Sequence, residues 1–492
     1  MSITCPISPY PLRRRSFIRG VLAAGAAPFI LRALPENLSA ASRKDAKKIG
    51  QKVRIAYIGI GNQGKNDIEG FAKTGLVEVV ALCDTELGHK RTQHVLQKYP
   101  HARQYRDFRK LLDEVGGRID AVLVATPDFS HFPAAIAAMA LGKHVYVEKP
   151  IAQSFRQIEL LMAAEKKYGV VTQMGNQGHS GGNYYQFKAW TEAGVIKNIT
   201  RINAHMNAAR RWHKKSFLGM KDFFPAQPVP EWLDWEAWLS TALEHPYNPG
   251  YLNGDWRCWF EFGNGALGDW GAHIFDTAHR FLQLGLPREV NPLRLEGRNA
   301  FIFPQASTLE FKFAARGEGR PACTLAWYDG KENPPPLPKG GEDIEVDADI
   351  PPPGGGSSAK ADKKGKSLVP NNGKELYAAD GTIFQGGTHG RTLRALDPDK
   401  AREFAKVAVP RVTSDHFKNF LLATLGAEEA RAPFSVSGPL CQVMNLGVIA
   451  QRVGERFAFD PATKRITNHE VADKLLDGVP PRKGWEQFYK LA

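Results

Sequence analysis

Three glycines stand in the run Gly59-Ile60-Gly61-Asn62-Gln63-Gly64, and Asp84 follows twenty residues beyond the last of them. That spacing suits a pyrophosphate. Gly59 permits a tight turn, Gly61 lets backbone approach phosphate, and Gly64 allows close packing of a helix on a strand, while the helix N-terminus offers N–H donors to the anion. Asn62 and Gln63 belong to the same cradle. An acid at position 84 accepts from ribose hydroxyls and repels a 2′-phosphate, and Thr85-Glu86 supply no cation beside it. NAD is therefore favoured over NADP. Gly88-His89-Lys90-Arg91 lies close enough to keep NADP as the lesser alternative.

The elements that position these residues read as an alternating β/α series. A β-rich run at 53–58 leads into the glycines, a helix covers 65–73, and a second strand, 77–82, ends at Cys83-Asp84. Strands at 121–125, 143–147 and 170–174 follow, with a helix opened by Ser130 and another over 151–168. Such alternation with short loops predicts a doubly wound parallel sheet, whose ligands lie beyond the strand C-termini. Thr126, Pro127, His131, Glu148 and Lys149 then face one crevice. Asn176 and Gln177, after the last strand, approach the cofactor, and His179 the substrate.

In the second half, Asp269 and His273 are spaced i, i+4 and share a face if their segment is helical. Alone, they read equally well as a helix-start cap and a packed histidine. Oxidation of a secondary alcohol needs a base for the hydroxyl proton, and histidine titrates nearest neutrality. Lys149, at a strand end, can polarise the forming carbonyl. Two aromatic-rich segments precede this region, 232–238 and Trp256-Arg257-Cys258-Trp259. Tryptophan faces suit the C–H faces of sugar rings, so Trp212, Trp256 and Arg257 join His179 as candidate substrate contacts, although most tryptophans are core anchors.

The glycine fingerprint, the Thr126-Pro127…His131 loop, Glu148-Lys149-Pro150 and the segment from Gly263 to His273 together resemble the Gfo/Idh/MocA oxidoreductase family. The likeness is close over 50–330 and loose over 375–455. It implies an N-terminal Rossmann-type domain and a C-terminal α/β domain with a large, mostly antiparallel sheet that also mediates oligomerisation, as a dimer or tetramer. It implies action on CH–OH groups of sugars, glycosides or polyols, with Lys149, Asp269 and His273 as the catalytic set. Some relatives are NAD-dependent glycoside hydrolases that oxidise C3 transiently, eliminate the aglycone, add water and reduce again. A non-catalytic sugar- or dinucleotide-binding protein is the rival from another class.

Composition agrees with a multidomain globular protein: 492 residues, 43% hydrophobic and 24% charged. Net charge is +14, but no long basic stripe appears, which argues against nucleic acid as a partner. Cys5, Cys83, Cys258, Cys323 and Cys441 form no CxxC pair, and no metal site is expected. Arg14-Arg15-Ser16-Phe17-Ile18-Arg19, a short apolar run and small residues near 38–41 resemble a twin-arginine signal over 1–40. Export to the periplasm follows, as in a secreted subgroup of the family. The apolar run is too short to span a bilayer comfortably. Free NAD is scarce outside the cytoplasm, so the cofactor is expected to be tightly held. The domains expected are an NAD-binding unit over 50–175 and a substrate and oligomerisation unit over 176–460. Within the latter, a Pro/Gly/Lys-rich insertion at 331–374 cannot bury a core.

Overall fold

The computed structural model describes residues 51–208, 217, 219–220, 222–336, 338, 372–388, 391–410 and 414–492. The expected signal segment at 1–40, Trp212 and most of the expected 331–374 insertion lie outside the described residues.

The first domain is built on a six-stranded parallel sheet, in the order β3-β2-β1-β4-β5-β6. Its strands are β1 Val53–Ile58, β2 Val77–Cys83, β3 Arg103–Tyr105, β4 Ala121–Val124, β5 His144–Val147 and β6 Thr172–Met174. Between them run α1 Asn62–Lys73, α2 Lys90–Lys98, α3 Phe108–Val115, α4 His131–Ala140 and α5 Phe155–Tyr168. β4, all four residues buried, shows why the chain reads as continuous apolar runs: helices cover both faces of a parallel sheet. α5 begins at 155 rather than 151 because Ser154 and Gln157 form a capping box there. Ser130 caps nothing. It closes a short 3-10 turn, and its hydroxyl donates to the Pro127 carbonyl.

The second domain contains α6 Gly182–Glu192, β7 Ile199–Met206, α7 Trp235–Leu239, α8 Gly265–Ile274 and α9 Asp276–Phe281. Next come β8 Glu289–Glu296, β9 Ala306–Phe313, β10 Cys323–Asp329, β11 Asn372–Ala378, β12 Ile383–Gly386 and β13 Leu393–Ala395. The chain ends with α10 Pro398–Phe404, α11 His416–Thr424, α12 Phe434–Val453, β14 Phe457–Asp460, β15 Arg465–Ile466 and α13 Glu470–Leu475. The sheet order is β13-β12-β11-β7-β10-β9-β8-β14-β15. Its pairings are antiparallel except β7 with β10. α12 stops at Gly454, which adopts the left-handed conformation, and Phe457 then opens a strand.

Two corrections concern boundaries. Order resumes at Asn372, inside the expected insertion, and Lys374 is buried in β11. Late segments also return to the first domain. On α11, Phe417 and Phe420 pack against Phe71 of α1 and Tyr146 of β5. Farther on, Trp485 lies under the Arg109 guanidinium, and Tyr489 packs on Phe132.

Candidate active site between the two sheets

Gly59 holds the positive φ of a tight turn (86°), and a Cβ on Gly64 would lie 2.1 Å from the Gly59 carbonyl oxygen. Helix and loop therefore touch with no room for a side chain. Gly61 differs: a Cβ there would meet nothing nearer than 3.7 Å, so its bare backbone serves approach from the crevice side. It is the N-cap of α1 and makes no side-chain cap bond, which leaves the helix N-terminus without a side-chain cap. Asp84 is fixed at the end of β2, where its carboxylate accepts from the Ile60 and Glu86 amides, both at 2.9 Å. This cradle fits a dinucleotide: a backbone surface for pyrophosphate and an anchored acid for ribose. Arg91, the cation that acts on that acid, is ion-paired to Glu86, with Nε at 3.0 Å.

The crevice continues past Thr126, Pro127, Glu148 and Gln177 to Lys149, Asp269 and His273, and its far wall comes from the second domain through Trp238, Asn253, Trp256 and Arg257. Lys149 Nζ donates to Asp269 Oδ1 at 2.7 Å. Arg257 Nε approaches the same oxygen at 3.3 Å, with its guanidinium 4.1 Å from the Trp256 ring centre. Burial alone would push the Asp269 carboxyl up, but Lys149 and Arg257 together hold it well below the usual carboxylate range. Asp269 and His273 are one turn apart on α8, as their spacing predicts. The start of α8 is pinned to the first domain by Asp128, whose carboxylate accepts from the Asn264 amide at 3.1 Å and side chain at 3.0 Å.

Several expected contacts are corrected. His131 borders the crevice, but its ring nitrogens stand 2.8 and 2.7 Å from the carbonyls of Pro150 and Thr126, so it ties two strand-end loops together. Asn176 donates to Asp276 at 3.0 Å, and His179 bonds the same carboxylate at 2.8 Å. Both are about 1% exposed and neither lines the crevice. The substrate role expected of His179 and the cofactor role expected of Asn176 are thereby replaced by positioning of the loop after β6.

Other residues of the site escaped the sequence reading. Asp67 lines the crevice from α1, and its signal was present: Gly64, Asp67, Ile68 and Phe71 form one buried helical stripe that includes an acid. The closure by the second domain also escaped. Asp234 N–H donates to the Thr85 carbonyl at 2.9 Å, Trp232 packs on His89, and Arg106 donates to the Glu231 carbonyl at 3.0 Å.

A parallel sheet with a phosphate cradle, closed over by an α/β domain that carries an Asp and a His, defines a dinucleotide-binding oxidoreductase architecture. Residues 53–176 match the oxidoreductase family by its NAD-binding Rossmann fold, and 185–295 match its C-terminal alpha/beta domain. Over these two stretches the chain matches the Gfo/Idh/MocA family. It is 30% identical over 161 residues to an inositol 2-dehydrogenase of Salmonella typhimurium, covering 32% of this chain and 47% of that one. It is 35% identical over 159 residues to a glycosyl hydrolase family 109 protein of Streptomyces filamentosus, covering 28% and 32%. The match thus spans less than half the length of these curated relatives. The fold is similar to the WlbA dehydrogenase of Bordetella pertussis, solved with NADH and UDP-GlcNAcA, at a TM-score of 0.52 and 15% identity over 83% of this chain and 99% of that one.

Proposed function

We propose that this protein is an NAD-dependent oxidoreductase that oxidises or reduces a secondary hydroxyl of a sugar, glycoside or polyol. The observation that carries this reading is the Lys149–Asp269 contact at 2.7 Å, with His273 one turn away, in the crevice that contains the phosphate cradle. The first domain binds the nucleotide, whose nicotinamide supplies the hydride chemistry when bound. Gly59, Gly61 and the N-terminus of α1 would hold pyrophosphate, and Asp84 the ribose. Of the protein's own groups, His273 takes the hydroxyl proton. The Lys149 ammonium stabilises negative charge on the substrate oxygen, and Asp269 keeps that ammonium and Arg257 in place. Arg257, stacked on the largely buried Trp256, brings a charged edge to the crevice wall, which suits the hydroxyls of a sugar ring.

The leader supports export by the twin-arginine route to the periplasm, where the cofactor must arrive already bound and stay. The family likeness supports a homo-oligomer. Tight retention also favours a second reading, a redox-neutral glycoside hydrolase, and the similarity to a glycosyl hydrolase family 109 protein supports it. One cofactor and one base suffice for oxidation at C3, elimination, hydration and re-reduction.

The test is to denature mature protein from its native host and measure released nucleotide by mass spectrometry and absorbance. NAD(H) near one per chain supports the resident-cofactor reading; a cofactor-free protein that binds NAD only weakly overturns it. Glycosides then separate the two chemistries, because aglycone release without lasting NADH marks the hydrolase.

A further inference from the structure

Beneath the crevice, α1 and the end of β5 bring two carboxyl groups together. Asp67 is fully buried, Glu148 is 5% exposed, and both border the cavity. Gln63 Nε2 donates to Asp67 Oδ1 at 2.8 Å, and Gln177 Nε2 donates to Glu148 Oε1 at 3.0 Å. The remaining Asp67 oxygen, Oδ2, is buried without any donor while both groups are ionised. A hydrogen bond joins Asp67 to Glu148 once one of them carries a proton. A buried carboxylate oxygen with no donor is costly, and a shared proton removes that cost. Glu148 has little room to turn away, since the Cα of Gly175 packs against its Oε1 so closely that a Cβ there would lie 2.2 Å from it.

We propose that Asp67 and Glu148 share a proton and act as a charge-compensating pair for the nicotinamide. The pair loses proton occupancy when the crevice holds the positively charged oxidised ring and regains it when the ring is reduced and neutral. The proton passes between the carboxyls and solvent in the crevice that both line, and no electron moves on the protein. This rests on the proposed dinucleotide reading and adds residues to it that neither bind phosphate nor act as the base.

The charged and titratable groups around the pair fit a response near neutrality. Lys149, the residue after Glu148, and Arg257, from the second domain, favour the ionised forms; Tyr57 and Tyr146 are neutral phenols, and Asp415, before α11, lines the same crevice and acts on Tyr146. Burial raises both carboxyls against those cations, with Glu148 pushed up to about 7 and Asp67 well above its ordinary value. A positive ring entering beside them lowers proton affinity, as any added cation does.

Infrared difference spectroscopy on the full chain tests this, comparing the protein with NAD+ bound and with NADH bound at pH 7. The C=O band of a protonated carboxyl is expected to be stronger with NADH, to shift in D2O, and to vanish from the difference spectrum in Asp67→Asn. Glu148→Gln, which preserves shape, is the second variant with the same expectation. The ratio of NAD+ to NADH affinity should rise about three- to tenfold between pH 6 and 8 in the unaltered protein and stay flat in the variants. Binding of both nucleotides with no carboxyl difference, or a band that survives in both variants, overturns the proposal alone. A chain that takes up neither nucleotide overturns the dinucleotide reading with it.

Discussion

Lys149 and Asp269 stand 120 positions apart in sequence and meet at 2.7 Å, one at the end of a strand of the first sheet and the other on a helix of the second domain. The contact is both the candidate catalytic pair and a bolt across the domain boundary. Arg257 on the same carboxylate makes it a three-membered cluster with one net positive charge. A neutral hydroxyl that gives up its proton within reach of this cluster leaves an oxyanion beside two cations.

Lys149→Ala separates chemistry from nucleotide binding. Turnover should fall by about 10²–10⁴, the usual worth of a group that handles a proton or stabilises charge in the transition state. NAD binding, followed by quenching of tryptophan fluorescence, should change little. Undiminished turnover would remove Lys149 from the mechanism.

Asp269→Asn leaves two cations facing each other and should cost about 2 kcal/mol or more of stability near neutral pH. The native carboxyl is depressed below its unfolded value near 3.9. Its stabilisation is therefore fully present above about pH 4 and is lost as pH falls toward the native value. Denaturant titrations should show a constant gap between the two proteins from pH 5 to 8 and a shrinking one below pH 4. A gap that widens in acid contradicts the ion-pair account.

Gly61→Ala and Gly64→Ala should part company. At Gly61 the new methyl meets nothing within 3.7 Å, so melting should stay within about 0.5 kcal/mol of the parent while nucleotide affinity drops. At Gly64 the methyl collides with the Gly59 carbonyl, and stability should fall by about 1–3 kcal/mol or more. Equal destabilisation by both would show that Gly61 is a structural glycine and not an approach surface.

Arg482→Ala probes the closure from the second domain. Arg482 ion-pairs Glu236 and donates to the Ser240 carbonyl at 2.9 Å, bracing the segment that carries Ala237, Trp238 and Ser240 into the crevice wall. Loss of hydrogen bonds from a charged donor, worth about 1.5–3 kcal/mol each, should speed nucleotide release by tenfold or more. Stopped-flow displacement of bound NADH measures this; an unchanged off-rate means that the segment does not retain the cofactor.

Five of the six parallel strands were legible because each is a short apolar run, whereas β3, the polar edge strand Arg103–Tyr105, has no such run to announce it. The nucleotide cradle was legible too, since Gly59 to Gly64 and Asp84 lie within one β-α-β unit. The Lys149–Asp269 pair required a likeness to known sequences, because nothing local to either residue names the other. Asn176 and His179 were misassigned because position after a strand end fixes neighbourhood, not direction: both turned to the buried Asp276 carboxylate, while His131 reached the crevice border but spends its ring nitrogens on two carbonyls. Asp67 was hidden inside a helix whose apolar stripe drew the eye past it. The aromatic segment at 232–238 was legible, but its closure over the first domain was not, because its partners, Thr85, His89 and Arg106, lie far away in sequence.

The return of α11 to α1, with Phe417 and Phe420 set against Phe71 and Tyr146, bears on how the protein is made. The nucleotide-binding half is synthesised early, yet part of its core is supplied more than 240 residues later, and Trp485 and Tyr489 reach it later still. Contacts of such long sequence separation slow folding. A nascent chain that has emerged only through β6 has an uncovered apolar patch where α11 will sit. Maturation of the nucleotide half, and with it secure capture of the cofactor, must therefore wait until α11 and the segment carrying Trp485 and Tyr489 have left the ribosome.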